Sequence, residues 1–381
     1  MPEELGVGIV GYGFIGKVHT YGYINLPLFY DSFPAKIRLV GVCTAHKQTA
    51  KKAKDIGNFS FATTFYQDLL KRDDIHIINC CTPNYLHKNV LIDALKAEKH
   101  IYCDKPLAMN LAEAKEILKV AEKSDKVHQM TFEYRFIPAI MRAKQLIEKG
   151  FLGKVFSFRG CYLHSGYIDS TRPISWRLDK KKAGGGALFD LGSHIIDLIR
   201  YLLGDYKAVF ATTHTFINER PLPNNPTKKA KVEVDDISFL QLKMQNGALG
   251  TLEASRLATG ANDDLRIEIH GEKGALYYNH MNPNWLWIYD TRDASEPIGG
   301  LRGFKGVETV QRYPKPAVLP GPKFSIGWMR YHIASQYDFV KRIVDGKKGN
   351  PSFYDGYKVQ EVMEAAYLSA KRDEWVNLPL K

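Results

Sequence analysis

The sequence predicts an α/β chain in two parts: a doubly wound parallel sheet first, then an α+β part with a large, mostly antiparallel open sheet. Three observations predict it. From Leu5 to about residue 131, short apolar runs alternate with helix-length segments, the pattern of βαβ units. A glycine-rich turn closes the first of those runs. From Val155 onward, strand-like runs follow one another without intervening helices, which calls for antiparallel pairing. At 381 residues the chain is long enough for two cores, divided as 1–132 and 133–381.

Composition narrows the functional classes. Hydrophobic residues at 45% and charged residues at 25% are ordinary for a globular protein. No window reaches the ~18–20 apolar residues of a membrane span; Asp197 and Arg200 interrupt the best one, Ile195–Leu203. The start, Met1-Pro2-Glu3-Glu4, is acidic and runs straight into a strand pattern, unlike a signal or transit peptide, so a cytoplasmic protein is expected. The five cysteines show no Cys-x-x-Cys pair of pairs, and Cys43, Cys80 and Cys81 sit in strand patterns. They read as reduced core residues, with no metal site. The net charge of +12 is spread over helix faces (Lys47, Lys51, Lys52, Lys54) and loops (Lys180–Lys182, Lys228, Lys229, Lys231). It forms no basic stripe with interleaved aromatics, so no nucleic-acid partner is expected. The field favours a dinucleotide or phosphorylated ligand.

The first strand, Leu5–Val10, ends in Gly11-Tyr12-Gly13-Phe14-Ile15-Gly16. This G-x-G-x-x-G lies between a strand and a helix, where a Rossmann dinucleotide site needs it. Gly11 makes the turn, Gly13 lets a pyrophosphate approach the backbone, and Gly16 lets the helix lie close to the strand. The N–H groups of Phe14, Ile15 and Gly16 then face the phosphates. After the second strand, Ile37–Val42, the acid that would bind a ribose diol is missing. Thr44, His46 and Lys47 leave room and positive charge there, so the cofactor is NAD or NADP with a lean to NADP.

The next runs, Ile75–Cys81 and His100–Cys103, lead into Thr82-Pro83-Asn84-Tyr85-Leu86-His87 and Asp104-Lys105-Pro106, with a helix from Tyr85 to Glu98 between. Loops at the C-terminal ends of parallel strands line one crevice, so Cys81, Thr82, Pro83, Asn84, His87, Asp104 and Lys105 join the cofactor set. A lysine in a partly dry site beside a cationic ring is usable in proton transfer. A helix over Leu111–Lys123 and a strand over Val127–Thr131 complete this half.

In the second part, Gly184-Gly185-Gly186 precedes Leu188, Leu191, Ile195, Leu198 and Leu202, whose spacing predicts a helix from about Ala187. Asp190, His194 and Asp197 then stack on one helical face. An imidazole between carboxylates suits proton transfer, with Asp190 and His194 also facing the substrate. The alternative is a helix-capping Asp190 and a satisfied surface His194. Strands are expected over Val155–Leu163, Tyr206–Phe216, Asp236–Met244, Ala248–Ser255, Leu265–His270 and Ala275–Tyr278. Helices are expected over Ala139–Lys149, Met329–Val344 and Gly356–Arg372, and loops over Pro221–Lys229 and 290–322. Arg135, Tyr162, His164, Trp176 and Arg177 are further substrate-contact candidates.

Together, Gly11–Gly16, Thr82-Pro83-Asn84 with His87, Asp104-Lys105-Pro106 and Gly184–Asp197 resemble, in order and spacing, the Gfo/Idh/MocA oxidoreductase family. The resemblance spans essentially the whole chain, including Asp355-Gly356 before the last helix. It implies a catalytic set of Lys105, Asp190 and His194. It also implies NAD(P)-linked hydride transfer at a secondary alcohol of a sugar, sugar derivative or cyclitol, and homodimers or homotetramers formed through the open sheet. The chain departs from the family pattern at Asp104, where a glutamate is usual, which shortens that carboxylate. Two alternatives stay open: a glycoside-cleaving enzyme that oxidises its substrate transiently with NAD, and a non-catalytic NAD(P)-binding sensor. A sensor would be expected to lose Lys105, Asp190 and His194, all of which are present.

Overall fold

The structure, a computed structural model, describes residues 3–310, 313–321 and 323–380. The chain divides into two compact units.

The first unit comprises Met1–Glu133, Tyr313–Gly321 and Gly327–Gln360. Its elements alternate: β1 (Glu3–Val10), α1 (Phe14–Phe29), β2 (Ala35–Cys43), α2 (Lys47–Gly57), β3 (Phe61–Thr63), α3 (Gln67–Leu70), β4 (Ile77–Cys80), α4 (His87–Lys96), β5 (His100–Cys103), α5 (Leu111–Ala121) and β6 (His128–Met130). The six strands are all parallel, in the order β3-β2-β1-β4-β5-β6. Helices on both faces bury such strands completely, which is why Leu5, Val7, Ile9, Ile77 and Ile78 are at most 1% exposed. The strand order reverses between β1 and β4, so the ligand crevice of this sheet lies at their C-terminal ends. Asn110 starts α5 by accepting from Glu113 N at 2.9 Å.

The expected division at 132/133 placed the helix Trp328–Val344 in the second part, but this helix returns to the first unit. It packs on α1: Tyr337 stacks on Tyr30 at 3.6 Å, and Gln336 Nε2 donates to the His19 carbonyl at 3.0 Å. Tyr102 on β5 donates to Ser335 Oγ at 2.7 Å. The parallel sheet has apolar surface left to cover, and this helix covers it.

The second unit comprises Tyr134–Arg312, Pro322–Ile326 and Glu361–Lys381. It holds α6 (Pro138–Glu148), β7 (Val155–Leu163), α7 (Lys180–Ala183), α8 (Ser193–Leu203), β8 (Tyr206–His214), β9 (Glu219–Leu222), β10 (Asn225–Lys231), β11 (Ile237–Met244), β12 (Leu249–Ser255), β13 (Asp264–Gly271), β14 (Gly274–Asn279), β15 (Trp285–Asp290), β16 (Lys305–Glu308) and β17 (Val376–Asn377). Nine strands form one sheet, β16-β15-β14-β13-β7-β12-β11-β8-β17, antiparallel except for β7 beside β12. Helix α8 covers one face, and Gly160 on β7 permits it: a Cβ there would stand 2.9 Å from Ile195. Phe239 on β11 and Leu249 on β12 lie on the opposite face, 49% and 56% exposed.

Two expectations give way. Pro221–Lys229 is a hairpin, β9 with β10, because Pro223-Asn224 makes the turn and Pro221 sits on a strand that has one partner. The expected loop 290–322 contains β16, which extends the sheet edge, while its residues 311, 312 and 322 lie outside the described residues. Among the described residues, no helix is long and apolar enough to cross a membrane.

Candidate active site

In the first unit the glycine loop serves two masters. Gly11 has φ +92°, and a Cβ on it would lie 2.4 Å from the Cys81 carbonyl. A Cβ on Gly16 would lie 2.4 Å from the Gly11 carbonyl. The protein's own backbone therefore demands both glycines. Gly13 differs, since a Cβ there would meet nothing within 4 Å. The protein leaves that space open, beside a helix N-terminus that no side chain caps and that has no acid in its first turn. Backbone N–H groups with a positive dipole and open space in front of them fit a pyrophosphate. Phe14 is 68% exposed and stacks on Trp328 at 5.7 Å.

At the end of β2, Thr44 Oγ1 donates to the His46 carbonyl at 3.1 Å and lies 2.6 Å from Thr49 Oγ1. His46 and Lys47 are exposed at the start of α2, with no carboxylate in its first turn. After β4 and β5 the loops are tied to one another through His87. This fully buried ring places Nε2 at 3.0 Å from the Thr82 carbonyl and Nδ1 at 2.9 Å from the Pro106 carbonyl. His87 thus braces the loops carrying Pro83, Asn84 and Lys105 from beneath.

Cys80 and Cys103 lie beside it, their sulfurs and a ring nitrogen mutually within 4.8 Å. Contact with the Cys103 thiol holds Cys80 down at about 6, while burial pushes Cys103 up. All three groups are buried, and both ring nitrogens already face carbonyls, so the trio reads as packing. Cys81 accepts from Asn79 Nδ2 at 2.8 Å, with its thiol pushed up by burial. Asp104 and Lys105 are half-buried, and the Asp104 carboxylate accepts from Lys105 N at 2.9 Å.

In the second unit the expected helix from Ala187 begins instead as a π-helical turn, Leu188–Gly192, with α8 proper starting at Ser193. The Asp235 carboxylate anchors that start. It accepts from Gly186 N and Leu188 N at 2.9 Å each and from Ser238 Oγ at 2.8 Å, and also from the Tyr367 hydroxyl. A Cβ on Gly186 would fall 1.9 Å from the Asp235 carbonyl. Gly186 therefore lets the chain pass its own Asp235, and a Cβ on Gly185 would meet the Tyr367 hydroxyl at 2.3 Å.

The wider π turn breaks the uniform stripe expected of Asp190, His194 and Asp197. Asp190, 29% exposed, accepts from Arg256 at 3.1 Å. Arg256 is buried, which works against its charge, but the nearby Asp190, Tyr167 and Asp235 outweigh the burial and raise it, and its guanidinium lies 4.9 Å from the Tyr167 ring. His194 is 6% exposed, with the Tyr134 ring 4.9 Å and the Tyr162 ring 5.8 Å from it. Asp197 is wholly buried and accepts from Arg135 Nε at 2.7 Å and from its NH2 group in a fork.

The structure therefore brings His194 and Tyr162 together, sets His164 against Tyr162 at 5.2 Å, and pairs Asp190 with Arg256. Arg135 is engaged with Asp197. Trp176 and Arg177 pair with each other, the guanidinium 4.5 Å from the indole. Sequence reasoning missed Tyr134, Arg256 and Asp235. Tyr134 was within reach, as it precedes the Arg135 that was chosen; the others carry no spacing signal.

A glycine loop at the switch point of a parallel sheet, a lysine in the loop after a neighbouring strand, and a separate unit carrying Asp190 and His194 define a dinucleotide-dependent oxidoreductase. Comparison with known proteins makes this particular. The family described as "Oxidoreductase family, NAD-binding Rossmann fold" matches residues 5–132, and the GFO/IDH/MocA C-terminal domain matches residues 140–277. The chain belongs to the GFO/IDH/MocA oxidoreductase family. It is 36% identical over 390 aligned residues to levoglucosan dehydrogenase of Pseudarthrobacter phenanthrenivorans, covering 99% of each chain. It is 26% identical to myo-inositol 2-dehydrogenase of Thermotoga maritima over 74% of this chain and 78% of that one. A solved levoglucosan dehydrogenase in complex with NADH and levoglucosan superposes with a TM-score of 0.94 at 37% identity, covering 99% of this chain and all of the other. The protein is thus an NAD(P)-dependent oxidoreductase.

Proposed function

We propose that the protein oxidises, reversibly, a ring secondary alcohol of a sugar or anhydrosugar, with Lys105, Asp190 and His194 as its catalytic residues. One observation carries this reading: all three residues are present in a chain that matches a levoglucosan dehydrogenase from end to end. The loop Gly11–Gly16 would hold the dinucleotide pyrophosphate through backbone N–H groups, and Thr82, Pro83 and Asn84 would border the nicotinamide end. The cofactor, when bound, supplies the hydride acceptor.

The chain's own residues manage the proton. His194 takes the hydroxyl proton, Lys105 Nζ steadies the oxygen as charge develops, and Asp190, held by Arg256, orients the alcohol and favours the charged imidazole. The pair Trp176 and Arg177 borders the sugar face. Past β2, Thr44, His46 and Lys47 offer a 2′-phosphate no repulsion, so NADP as well as NAD is accepted there.

The test is a panel of levoglucosan, L-sorbose, glucose and inositols with NAD⁺ and NADP⁺. At least one pairing gives stoichiometric reduced cofactor in the absorbance at ~340 nm. Dinucleotide binding with no net reduction and a cleaved glycoside would favour the redox-neutral hydrolase instead.

The open face of the nine-stranded sheet is where a second copy docks in this proposal. It holds a depression of about 630 Å³ bordered by Phe239, Arg159, Glu268 and Tyr277. The depression lies on the face opposite α8, away from His194. Light scattering checks it: a dimer or tetramer that Phe239→Glu dissociates.

A further inference from the structure

Asp263, in the loop before β13, gathers donors from three other segments of the second unit. Tyr162, on β7, donates to Oδ1 at 2.6 Å. Tyr134 reaches the same oxygen at 3.3 Å. His164 Nε2 lies 3.3 Å from Oδ1, and His280 Nε2, just past β14, lies 3.2 Å from Oδ2. The Tyr278 hydroxyl stands 2.9 Å from His280 Nδ1.

A carboxylate only accepts, so the Tyr162 proton is spent on it. The two tyrosine hydroxyls are 2.6 Å apart, so the proton between them belongs to Tyr134. The direction is therefore set, Tyr134 to Tyr162 to Asp263, and the same two rings wall His194. Burial would raise the Asp263 carboxyl, but hydrogen bonds from His164, His280 and Tyr162 outweigh it and hold the group well below the usual carboxylate range. Asp263 thus stays an anion throughout any working pH and does not itself carry a proton.

We propose that Asp263 is a positioning residue for His194: by fixing the hydroxyl protons of Tyr162 and Tyr134 it locks both rings against the imidazole. The proposal rests on the reading of His194 as the proton acceptor. The groups against His194 are the Tyr134 and Tyr162 rings from other elements; Asp190, paired with Arg256, stands one turn before it in the chain, and Asp197, paired with Arg135, one turn after. Replacing the anion by an amide, which donates as well as accepts, frees the hydroxyl order and removes a negative charge from this wall.

The experiment compares wild type, Asp263→Asn and Tyr162→Phe in the full chain. It follows kcat and KM against pH, and the ring signal of His194 in histidine-selective NMR without substrate, assigned from His194→Asn. Asp263→Asn is expected to lower kcat about 10²-fold, the scale of a small misplacement of a reacting group. Its pH profile and the His194 titration midpoint both move down, dinucleotide affinity stays unchanged, and Asp263→Glu recovers part of the loss. Tyr162→Phe, which leaves the Asp263 charge in place, lowers kcat likewise at unchanged dinucleotide affinity and changes the His194 ring signal without the downward shift of its midpoint, and it decides the matter if Asp263→Asn does not fold. Folded variants whose pH profiles and His194 signals coincide with wild type overturn the proposal. A wild type that reduces no dinucleotide with any sugar counts against hydride transfer, and the His194 signal then judges Asp263 by itself.

Discussion

The two units differ in the ionisable groups that mark their interiors, although the first also buries Glu133 and Arg330. In the first unit the buried groups include uncharged histidines: burial pushes His19 down to about 3, His100 and His128 to about 4, and His332 well below its ordinary range. In the second they are ions held in pairs: Arg135 with Asp197, Arg256 with Asp190, and Asp263 among His164, His280 and two tyrosines. The contrast follows from how each unit meets its ligand. A pyrophosphate held by backbone N–H groups needs no buried ion, so the parallel sheet can stay apolar. Moving a proton and steadying an alkoxide need charge fixed in place beforehand, so the second unit keeps ions out of water and compensates each with a partner.

The sharpest way to break this contrast is to remove one member of a pair. Asp197→Asn deprives buried Arg135 of its forked partner and is expected to cost about 3–5 kcal/mol of stability. His19→Gln in the first unit, which exchanges one neutral polar group for another, should cost about 1–3 kcal/mol. Urea denaturation of both variants compares them; equal losses would erase the distinction.

Acid gives a second test, with the sign fixed by linkage. Folded His19 takes its proton only near about 3, against 6.5 as a free side chain, so the unfolded chain binds protons first as pH falls. Stability from such groups is whole above about pH 6.5 and drains away below it, by about 2–3 kcal/mol for His19 at pH 4.5. Asp338 offsets part of this, because burial raises its carboxyl and lets the folded state take a proton early. Asp263, lowered in the fold, loses its contribution only as pH drops below the ordinary carboxylate range. Hydrogen exchange at pH 7 and 4.5 should show α1 and Trp328–Val344 loosening while the sheet around β7 holds. Loosening of β7 first would reverse the assignment.

A smaller effect probes the ribose end. Lys47→Ala should weaken NADP⁺ binding several-fold, by about 1 kcal/mol, and leave NAD⁺ unchanged; titration calorimetry with each dinucleotide reads the difference.

Much of the first unit was legible in the sequence, and for a physical reason. Glycines at Gly11 and Gly16 are imposed by local backbone geometry, and buried parallel strands leave contiguous apolar runs such as Leu5–Val10. The return of Trp328–Val344 was not legible, because its partners Tyr30, His19 and Tyr102 lie hundreds of residues earlier. In the second unit the apolar spacing at Leu188, Leu191 and Ile195 fits an α-helix, and nothing in it signals the π turn. Asp263 and His280 stand at strand ends that only the sheet register brings beside Tyr162. Asp190, Asp197 and Arg135 were legible as candidates, but the partners Arg256, Asp263 and His280 were hidden where the backbone half was plain.

The division of labour between the units is tested most directly by His194→Asn. Titration of NAD(P)⁺ into this variant should give the wild-type affinity, while stoichiometric reduction of cofactor by the accepted sugar falls about 10²–10⁴-fold. Normal turnover with His194 replaced, or loss of dinucleotide binding in a folded variant, would contradict it.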